Sequence, residues 1–431
     1  MKFISVQQAL DKKRGTVNLR GWIYQLRKLK DKVFIILRDS SNIIQCIVEE
    51  KSKAWKDSNK LTIESSIEVS GSLRQDKRAP TNYELIVDKL NIIHIAEKYP
   101  LQVRKQYLSP EILLDYRHLA LRTPRMQSIM KIRSAVFGAI HEFCRNNGFY
   151  EFQSPVLMSG AAETGPTLFK VDFFGKPLFL TQTWQFYAEA GMFGLEKIYT
   201  IAPCFRAEKS KTSRHLAEYW HAEVEVAWYD LDKLIDFAES LVKHIITEVI
   251  KKNKHELEIL KRDIRPLQIA LKKKWPRITY DKALKLLKEK KNLKVRWGKD
   301  LRTIEEDKLT ELFDTPVFVT HYPKEIMAFY KPKDSKNPKT ARCFDLLAPE
   351  GYGELIGGSE RDTDIKELIK SLKAAGEKVE NYNFYLDTRR YGSIPHAGFG
   401  LGVERVISWL CKLDHIRDAI PFPRTMARYK P

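Results

Sequence analysis

The chain has 431 residues, and its content of 43% hydrophobic and 11% aromatic residues excludes a largely disordered protein and predicts two or three folded domains. Its formal net charge of +20 indicates a polyanionic partner such as a nucleic acid, with a solvated Lys-rich surface as the alternative. Five isolated cysteines without a CxxC pair argue against a disulfide framework. Neither a signal peptide nor an apolar run of about 18 residues is present, so we expect a cytoplasmic protein without a membrane segment.

The first hundred residues have the pattern of a small β-domain. Short runs rich in Val and Ile, separated by turn residues, predict five strands at residues 17–29, 33–38, 43–49, 66–73 and 83–96. Five strands in this length are typical of an OB-fold barrel, which commonly binds oligonucleotides, although other small β-domains also have five. We predict this domain over residues 1–98 and a charged, proline-containing linker over residues 99–125.

Residues 126–431 interleave helices and strands. Apolar periodicity predicts helices at residues 128–146, 231–251, 364–375 and 401–413, and strands at residues 150–156, 317–320, 344–347 and 353–356, with a β-rich stretch at 197–229. Because the spacing is not that of regular βαβ units, we predict an α+β domain with an antiparallel sheet flanked by helices. Residues 252–312 read as a Lys-rich, partly helical insertion in this domain.

Two segments of the larger domain are suited to binding polyphosphate. Segment 205–228 begins with Phe-Arg-Ala-Glu after an apolar strand and predicts a hairpin that holds Arg206 over an anion, or simply a surface hairpin with an Arg–Glu ion pair. Segment 398–405 places glycines and Arg405 where a helix is predicted to begin, and helix N-termini attract phosphate. Neither a Walker A motif nor Rossmann spacing is present.

Two carboxylates stand on neighbouring predicted strands. Glu354 lies in a glycine-rich strand, and Asp345 lies on the strand before it. Paired carboxylates beside a phosphate site commonly hold Mg²⁺. An ordinary ion pair is the alternative for each, above all for Asp345.

Taken in order, these segments resemble motifs 1, 2 and 3 of class II aminoacyl-tRNA synthetases: the helix and strand that end at Pro155, segment 205–225 and segment 398–405. With the OB-like front end, the chain resembles the aspartyl/asparaginyl/lysyl subgroup over nearly its whole length. This resemblance implies ATP and Mg²⁺ as cofactors and activation of an amino acid for transfer to tRNA. It also implies a homodimer with the segment around Pro155 near its interface.

Matching positions imply the roles of individual residues at the nucleotide. Arg206 is expected to hold the α-phosphate and the amino-acid carboxylate, and Glu354 to bind Mg²⁺. The other implied contacts are Glu208 and the backbone of Leu216 at adenine, Tyr219 and Arg405 on opposite faces of adenine, and His215 at the γ-phosphate. Gly357 stands where many aspartyl members have a serine, which places one metal ligand in doubt.

The amino-acid pocket distinguishes the members of the subgroup. Gln182 and Gln185 resemble its substrate-binding glutamines, Arg361 the arginine at the substrate side-chain oxygen, and Glu163 the acid that holds the α-amino group.

Charge and hydrogen-bond direction must separate Asn from Asp, because the two have the same shape. Ala188 replaces the lysine typical of aspartyl members, and Glu189 matches the acid typical of asparaginyl members. We therefore predict that Glu189 accepts the amide of asparagine and repels aspartate, which favours L-asparagine and tRNA(Asn) as substrates. An exposed helix charge is the alternative for Glu189.

In the front domain, Phe34 and Gln45 match the positions that read the middle anticodon base in this subgroup, although Phe34 also suits a barrel core. Three alternatives remain open from the residues alone. They are an aspartyl enzyme that charges one or both tRNAs, a synthetase-derived asparagine synthetase that uses the same ATP site, and a catalytically silent RNA-binding protein.

Overall fold

The structure is a computed structural model that describes residues 2–101, 109–159, 168–208 and 212–430. The chain divides into two compact units, Met1–Ala120 and Leu121–Pro431. Within the described ranges, no helix combines the length and the apolar character that a membrane crossing requires.

The first unit is a closed five-stranded barrel, as the pattern of the first hundred residues predicts. Its strands are β1 (Gly15–Lys28), β2 (Lys32–Arg38), β3 (Ile43–Glu49), β4 (Ser66–Gln75) and β5 (Tyr83–His94), in the order β1-β2-β3-β5-β4. Neighbouring strands are antiparallel except β3 and β5. The helices are α1 (Val6–Lys12), α2 (Trp55–Ser58), α3 (Pro110–Asp115) and α4 (Arg117–Ala120).

The pleat decides which side chains of the barrel strands face inward. On β2, Val33, Ile35 and Leu37 are fully buried and join the barrel core. Side chains alternate along a strand, so Phe34 points to the outer face and is only partly buried. This placement removes Phe34 from the barrel core.

The second unit is built on an eight-stranded sheet with helices packed against it. Its elements in the first half are α5 (Pro124–Asn146), β6 (Tyr150–Glu151), β7 (Leu157–Met158), β8 (Lys170–Phe173), β9 (Lys176–Leu180), α6 (Gln185–Leu195), β10 (Lys197–Phe205), β11 (Glu218–Ala227) and α7 (Leu231–Lys252). The second half contains α8 (Lys254–Ile259), α9 (Arg265–Lys272), β12 (Arg277–Thr279), α10 (Tyr280–Lys291), α11 (Thr303–Thr310), β13 (Val317–Thr320), β14 (Cys343–Ala348), β15 (Gly353–Glu360), α12 (Ile365–Ala374), α13 (Asn383–Arg390), β16 (His396–Gly402) and α14 (Val403–Cys411).

The sheet has the order β12-β13-β14-β15-β16-β11-β10-β6. All neighbouring pairs are antiparallel except β12 with β13 and β6 with β10, which confirms the predicted antiparallel sheet with flanking helices. A separate three-stranded sheet has the order β7-β9-β8. The buried apolar faces of α5, α7 and α14 form one core with the central strands.

Local chemistry fixes where the main helices begin. Thr123 caps α5 by accepting a hydrogen bond from the Met126 amide, and Pro124 occupies the first turn, where its missing N–H costs nothing. The helix therefore starts four residues before the periodic apolar pattern does. Asp230 caps α7 in the same way by accepting from the Lys233 amide.

Residues 252–312 are integral to the second unit. Leu257, Leu267 and Trp275 are buried in the main core, whereas Tyr280 and Leu309 belong to a second core that includes residues of β13. The strand β12 extends the sheet edge in parallel with β13. The lysines of this segment thus cover the outside of elements that the fold requires.

Candidate active site

A cleft opens over β11, β15 and β16 and has a volume of about 750 Å³, including the space open to solvent at its mouth. All seven residues predicted to contact ATP line it: Arg206, Glu208, His215, Leu216, Tyr219, Glu354 and Arg405. Residues from segments far apart in sequence meet here because β11 pairs with β16, and β16 pairs with β15. Fold and predicted nucleotide residues therefore converge on one cleft.

The glycines of segment 398–405 lie in the strand β16, and the helix α14 begins only at Val403. The helix predicted at 401–413 is therefore wrong at residues 401 and 402, which belong with the glycines to a strand that the sequence did not predict. The physical reason is close packing. A Cβ on Gly398 would lie 2.6 Å from Arg361 Nη2, and a Cβ on Gly400 would lie 2.3 Å from the His221 ring. Glycine at these positions leaves room for side chains from β11 and from the segment after β15 to pack across β16.

Arg206 lines the cleft next to Tyr219 and Glu208. Its guanidinium is 5.7 Å from the centroid of the Tyr219 ring, and its Nη1 is 3.9 Å from Glu208 Oε1. Burial lowers the pKa of His215, and the charge of Arg405 lowers it further. A neutral His215 and several arginines thus face the same space.

Arg405 and Glu354 form a salt bridge. Arg405 Nη1 donates to the Glu354 carbonyl oxygen at 2.8 Å and to its Oε2 at 3.0 Å. Burial alone would raise the pKa of Glu354, but the charge and hydrogen bond of Arg405, together with the charges of Arg206 and Lys331, lower it. Glu354 is therefore an ionised carboxylate at the floor of the cleft.

The second carboxylate, Asp345, converges on the same point. A Cβ built on Gly357 would lie 3.0 Å from Glu354 Oε1 and 3.5 Å from Asp345 Oδ1. Burial raises the pKa of Asp345 well above its ordinary value, and the negative charge of Glu354 raises it further. Two carboxylate oxygens around a space left open by glycine fit a hard dication such as Mg²⁺.

A second cleft continues from the first. Both are lined by Arg206, His221, Glu354 and Gly400, and the second adds Gln185, Lys331, Asp345, Tyr330 and Arg361 among others. Arg206 therefore stands at the junction of the two clefts. Gln182 is 1% exposed and does not line the second cleft, and Glu163 lies outside the described residues.

Arg361 is held by a carboxylate that the sequence reading did not single out. Its Nε and Nη2 donate to the two oxygens of Glu225 at 2.9 and 2.8 Å, and its Nη1 donates to Ser359 Oγ at 2.8 Å. Burial raises the pKa of Glu225, whereas Arg361 opposes that rise. Arg361 thus lines the second cleft with its positive charge neutralised by Glu225.

Glu189 lies behind the cleft wall, which differs from the predicted contact with substrate. Its side chain is fully buried and does not line the second cleft. Its Oε1 accepts from Gln185 Nε2 at 2.8 Å and from the Tyr385 hydroxyl at 3.2 Å. Its Oε2 accepts from Arg389 Nη2 at 2.5 Å and lies 3.1 Å from His396 Nε2.

Glu189 acts on the second cleft through the charges of neighbouring arginines. Burial would raise the pKa of Glu189, but the charges of Arg389, His396 and Arg361 and a hydrogen bond with His396 together lower it. Arg361 Nε lies 3.8 Å from Glu189 Oε1. The ionised Glu189 supports Gln185 and Arg361, which do line the cleft.

Glu223 is another buried acid that the sequence reading missed. It accepts hydrogen bonds from the Thr183 hydroxyl and, at 2.9 Å, from the Trp184 amide, and it lies 3.3 Å from His221 Nδ1. The alternation of side chains along β11 could have identified Glu223 from the sequence. Tyr219, His221, Glu223 and Glu225 share one face of that strand.

On the barrel, Phe34 and Gln45 line one outer groove with Arg27, Lys32, Arg74 and Arg78. Gln45 Nε2 donates to Glu84 Oε2 at 3.0 Å, and Glu84 also pairs with Arg74. An aromatic face and a side-chain amide thus stand together among cations.

Family models match both units. Residues 109–426 match the class II tRNA synthetases (D, K and N), and residues 17–93 match an OB-fold nucleic acid binding domain.

Individual relatives narrow the match. The asparagine–tRNA ligase of Thermoplasma acidophilum is 44% identical over 418 residues, 96% of each chain. That of Pyrococcus horikoshii is 44% identical over 429 residues, 99% of this chain and 98% of the relative. The crystal structure of the Pyrococcus horikoshii asparaginyl-tRNA synthetase complexed with asparaginyl-adenylate superposes with a TM-score of 0.95 at 42% identity and covers 100% of both chains. The chain therefore belongs to the class II tRNA synthetases of the D, K and N group, and within that group to the asparagine–tRNA ligases.

Proposed function

We propose that this chain activates L-asparagine with ATP to asparaginyl-adenylate and transfers the asparaginyl group to the 3′ end of tRNA(Asn). The observation that carries this proposal is the continuity of the two clefts through Arg206. One cleft is lined by the nucleotide set and the other by Gln185 and Arg361, so an amino acid and ATP can meet at a single arginine.

In the first step, the asparagine carboxylate attacks the α-phosphorus of ATP in line, and pyrophosphate leaves. The carboxylate is already ionised, so no general base is required. Arg206 neutralises charge where the two substrates meet, and Arg405 neutralises the polyphosphate, so catalysis is mainly positioning and electrostatic stabilisation. Glu208, the Leu216 backbone and Tyr219 hold adenine, and His215 faces the γ-phosphate.

We propose that Glu354 and Asp345 hold Mg²⁺. Their convergence over Gly357 supports this assignment. When bound, the ion neutralises the charge of the phosphates. In the second step, the 3′-hydroxyl of the terminal adenosine attacks the adenylate carbonyl carbon, and AMP leaves.

Charge balance supports asparagine over aspartate. Arg361 is neutralised by Glu225 in direct contact and by Glu189 at 3.8 Å, so it can donate to the neutral amide oxygen without an excess positive charge. Aspartate would add a third carboxylate to this buried group, which low-dielectric surroundings disfavour. In this proposal Glu189 acts from behind the wall, while Gln182, Gln185 and Glu163 remain proposed contacts of the substrate backbone.

Two further features are proposed for the whole molecule. Phe34 and Gln45 read the middle anticodon base of tRNA, because stacking and a side-chain amide suit a splayed base. A cytoplasmic homodimer forms through the segment around Pro155, where Tyr150 is 60% exposed and Val156 37% exposed. Burial of such apolar surface is the expected driving force of the dimer.

The test is ATP–pyrophosphate exchange with asparagine and with aspartate in parallel. We expect exchange with asparagine and a far lower kcat/KM with aspartate. Exchange with aspartate alone would contradict the proposal and indicate an aspartyl enzyme, and release of free asparagine from aspartate and ammonia would indicate an asparagine synthetase. Equilibrium sedimentation measures the predicted dimer independently.

A further inference from the structure

Helix α11 reaches the nucleotide cleft through Arg214. This arginine lines the cleft beside His215 and Arg405. Its Nη2 donates to Asp307 Oδ1 at 2.5 Å and to the Gly351 carbonyl oxygen. Asp307 belongs to α11, so a helix of the segment predicted as an insertion touches a cleft-lining cation.

Arg214 is contacted from helix α11 and from the turn before β15. Glu306, the residue before Asp307 on α11, places its Oε2 3.6 Å from Arg214 Nη1. Both Asp307 and Glu306 therefore act on the guanidinium from α11, and the Gly351 carbonyl lies just ahead of β15, which carries Glu354. Nη1 itself is buried and has no hydrogen-bond partner among the described residues.

An arginine side chain has many rotamers, and ordering it on ligand binding costs free energy. A side chain that is already ordered by a carboxylate avoids that cost. The contact is charge-assisted, because both groups are ionised. It is also partly buried, since the side chain of Arg214 is 18% exposed and that of Asp307 34% exposed. The Asp307 carboxylate also offsets the mutual repulsion of Arg214, Arg206 and Arg405, which line the same cleft.

We infer that Asp307 is a positioning residue for adenylate formation: together with Glu306 and the Gly351 carbonyl, it holds Arg214 in the orientation in which this arginine faces the phosphates of ATP. The inference rests on the proposed function, since it assigns ATP to this cleft. It gives residues 252–312 a part in the active site through α11. Asp307 does not touch substrate and acts only through Arg214.

The experiment measures ATP–pyrophosphate exchange with the full chain and its Asp307→Asn variant at saturating asparagine. Loss of one charge-assisted contact is expected to raise the KM for ATP about tenfold, while the KM for asparagine stays unchanged. Asp307→Glu is expected to restore most of the loss. A lower KM for ATP would overturn the inference, because it would mean that Asp307 competes with ATP for Arg214. An unchanged KM would overturn it as well.

A double-mutant cycle tests that the effect passes through Arg214. In an Arg214→Ala background, Asp307→Asn is expected to have no further effect on the KM for ATP. An equal effect in both backgrounds would contradict the positioning role.

Glu311→Gln is the matched control. Glu311 follows α11 and pairs with Lys291 and Lys308 away from the cleft, so its variant is expected to leave the KM for ATP unchanged. If the unmodified chain gives no exchange with asparagine, the proposed function itself has failed. If it gives exchange and Asp307→Asn matches it, only the inference has failed.

Discussion

Arg389 and Glu189 are 200 residues apart in the sequence, yet Arg389 Nη2 lies 2.5 Å from Glu189 Oε2, and both side chains are fully buried. Arg361 Nε also lies 3.8 Å from Glu189 Oε1, so this acid balances two arginines beside the proposed amino-acid pocket. Under the proposed function, this charge balance lets a residue outside the cleft influence which amino-acid side chain the cleft accepts.

The first prediction concerns this balance. Glu189→Gln removes one negative charge and leaves Arg389 uncompensated, so the pocket becomes more positive and aspartate is less strongly rejected. We expect the Asn/Asp ratio of kcat/KM in pyrophosphate exchange to fall by about tenfold. We also expect a loss of stability of about 3 kcal/mol, since a broken buried pair leaves an unpaired ion.

The control for that variant is Glu196→Gln, at the exposed C-terminal end of the same helix. It is expected to leave the ratio unchanged. If Glu189→Gln lowered stability without altering the Asn/Asp ratio, Glu189 would have a purely structural part.

The second prediction concerns Arg405. Arg405→Ala removes a cation from the phosphate cleft and a partner from Glu354, so we expect the rate of pyrophosphate exchange to fall by about a hundredfold or more. Binding of tRNA, measured by filter binding, is expected to change little. Exchange at the original rate would show that the phosphates bind elsewhere.

The third prediction concerns the proposed metal. Exchange is expected to cease with EDTA and to return with Mg²⁺. Asp345→Asn removes one of two converging carboxylates, so the Mg²⁺ concentration for half-maximal exchange is expected to rise about tenfold. A variant with the original Mg²⁺ dependence would remove Asp345 from the metal site, while Glu354→Gln tests its partner separately.

The fourth prediction concerns the barrel groove. Phe34→Ala removes a stacking face worth about 1–3 kcal/mol, so the KM for tRNA in aminoacylation is expected to rise between about fivefold and a hundredfold. Pyrophosphate exchange is expected to remain unchanged, because it does not require tRNA.

Trp22→Ala is the matched control for the groove. Trp22 is an aromatic residue of the same barrel, 48% exposed, that does not line the groove. An equal effect of the two variants would mean that the groove has no special part in binding tRNA.

Local patterns in the sequence predicted much of the fold. The five barrel strands and the helix α7 lie close to their predicted positions. This agreement is expected, because alternation and helical periodicity depend on residues that are near one another in the sequence. The strand predicted at 150–156 is shorter in the structure, Tyr150–Glu151, and within the described part of the chain it pairs with β10 alone. How far a strand extends depends on its partner, which local sequence does not contain.

The residues of the candidate site also fall into those predicted from the sequence and those that only the fold revealed. The resemblance to class II synthetases, rather than spacing by itself, supplied the predicted nucleotide residues, which lie in two short segments and one glycine-rich strand. Glu225 and Asp307 were missed, because each acts through an arginine far away in the sequence, Arg361 and Arg214 respectively. A carboxylate becomes a partner only when the fold brings its arginine within hydrogen-bond distance.

By itself, then, the sequence determined the barrel, the antiparallel architecture and the residues that line the nucleotide cleft. Only the tertiary structure decided that Gly398 and Gly400 belong to a strand, because the side chains they accommodate come from β11 and from the segment after β15. It also decided that Glu189 lies behind the pocket, because burial and pairing with Arg389 depend on contacts across 200 residues. Periodicity is a property of adjacent residues, whereas burial and charge pairing exist only after the chain has folded.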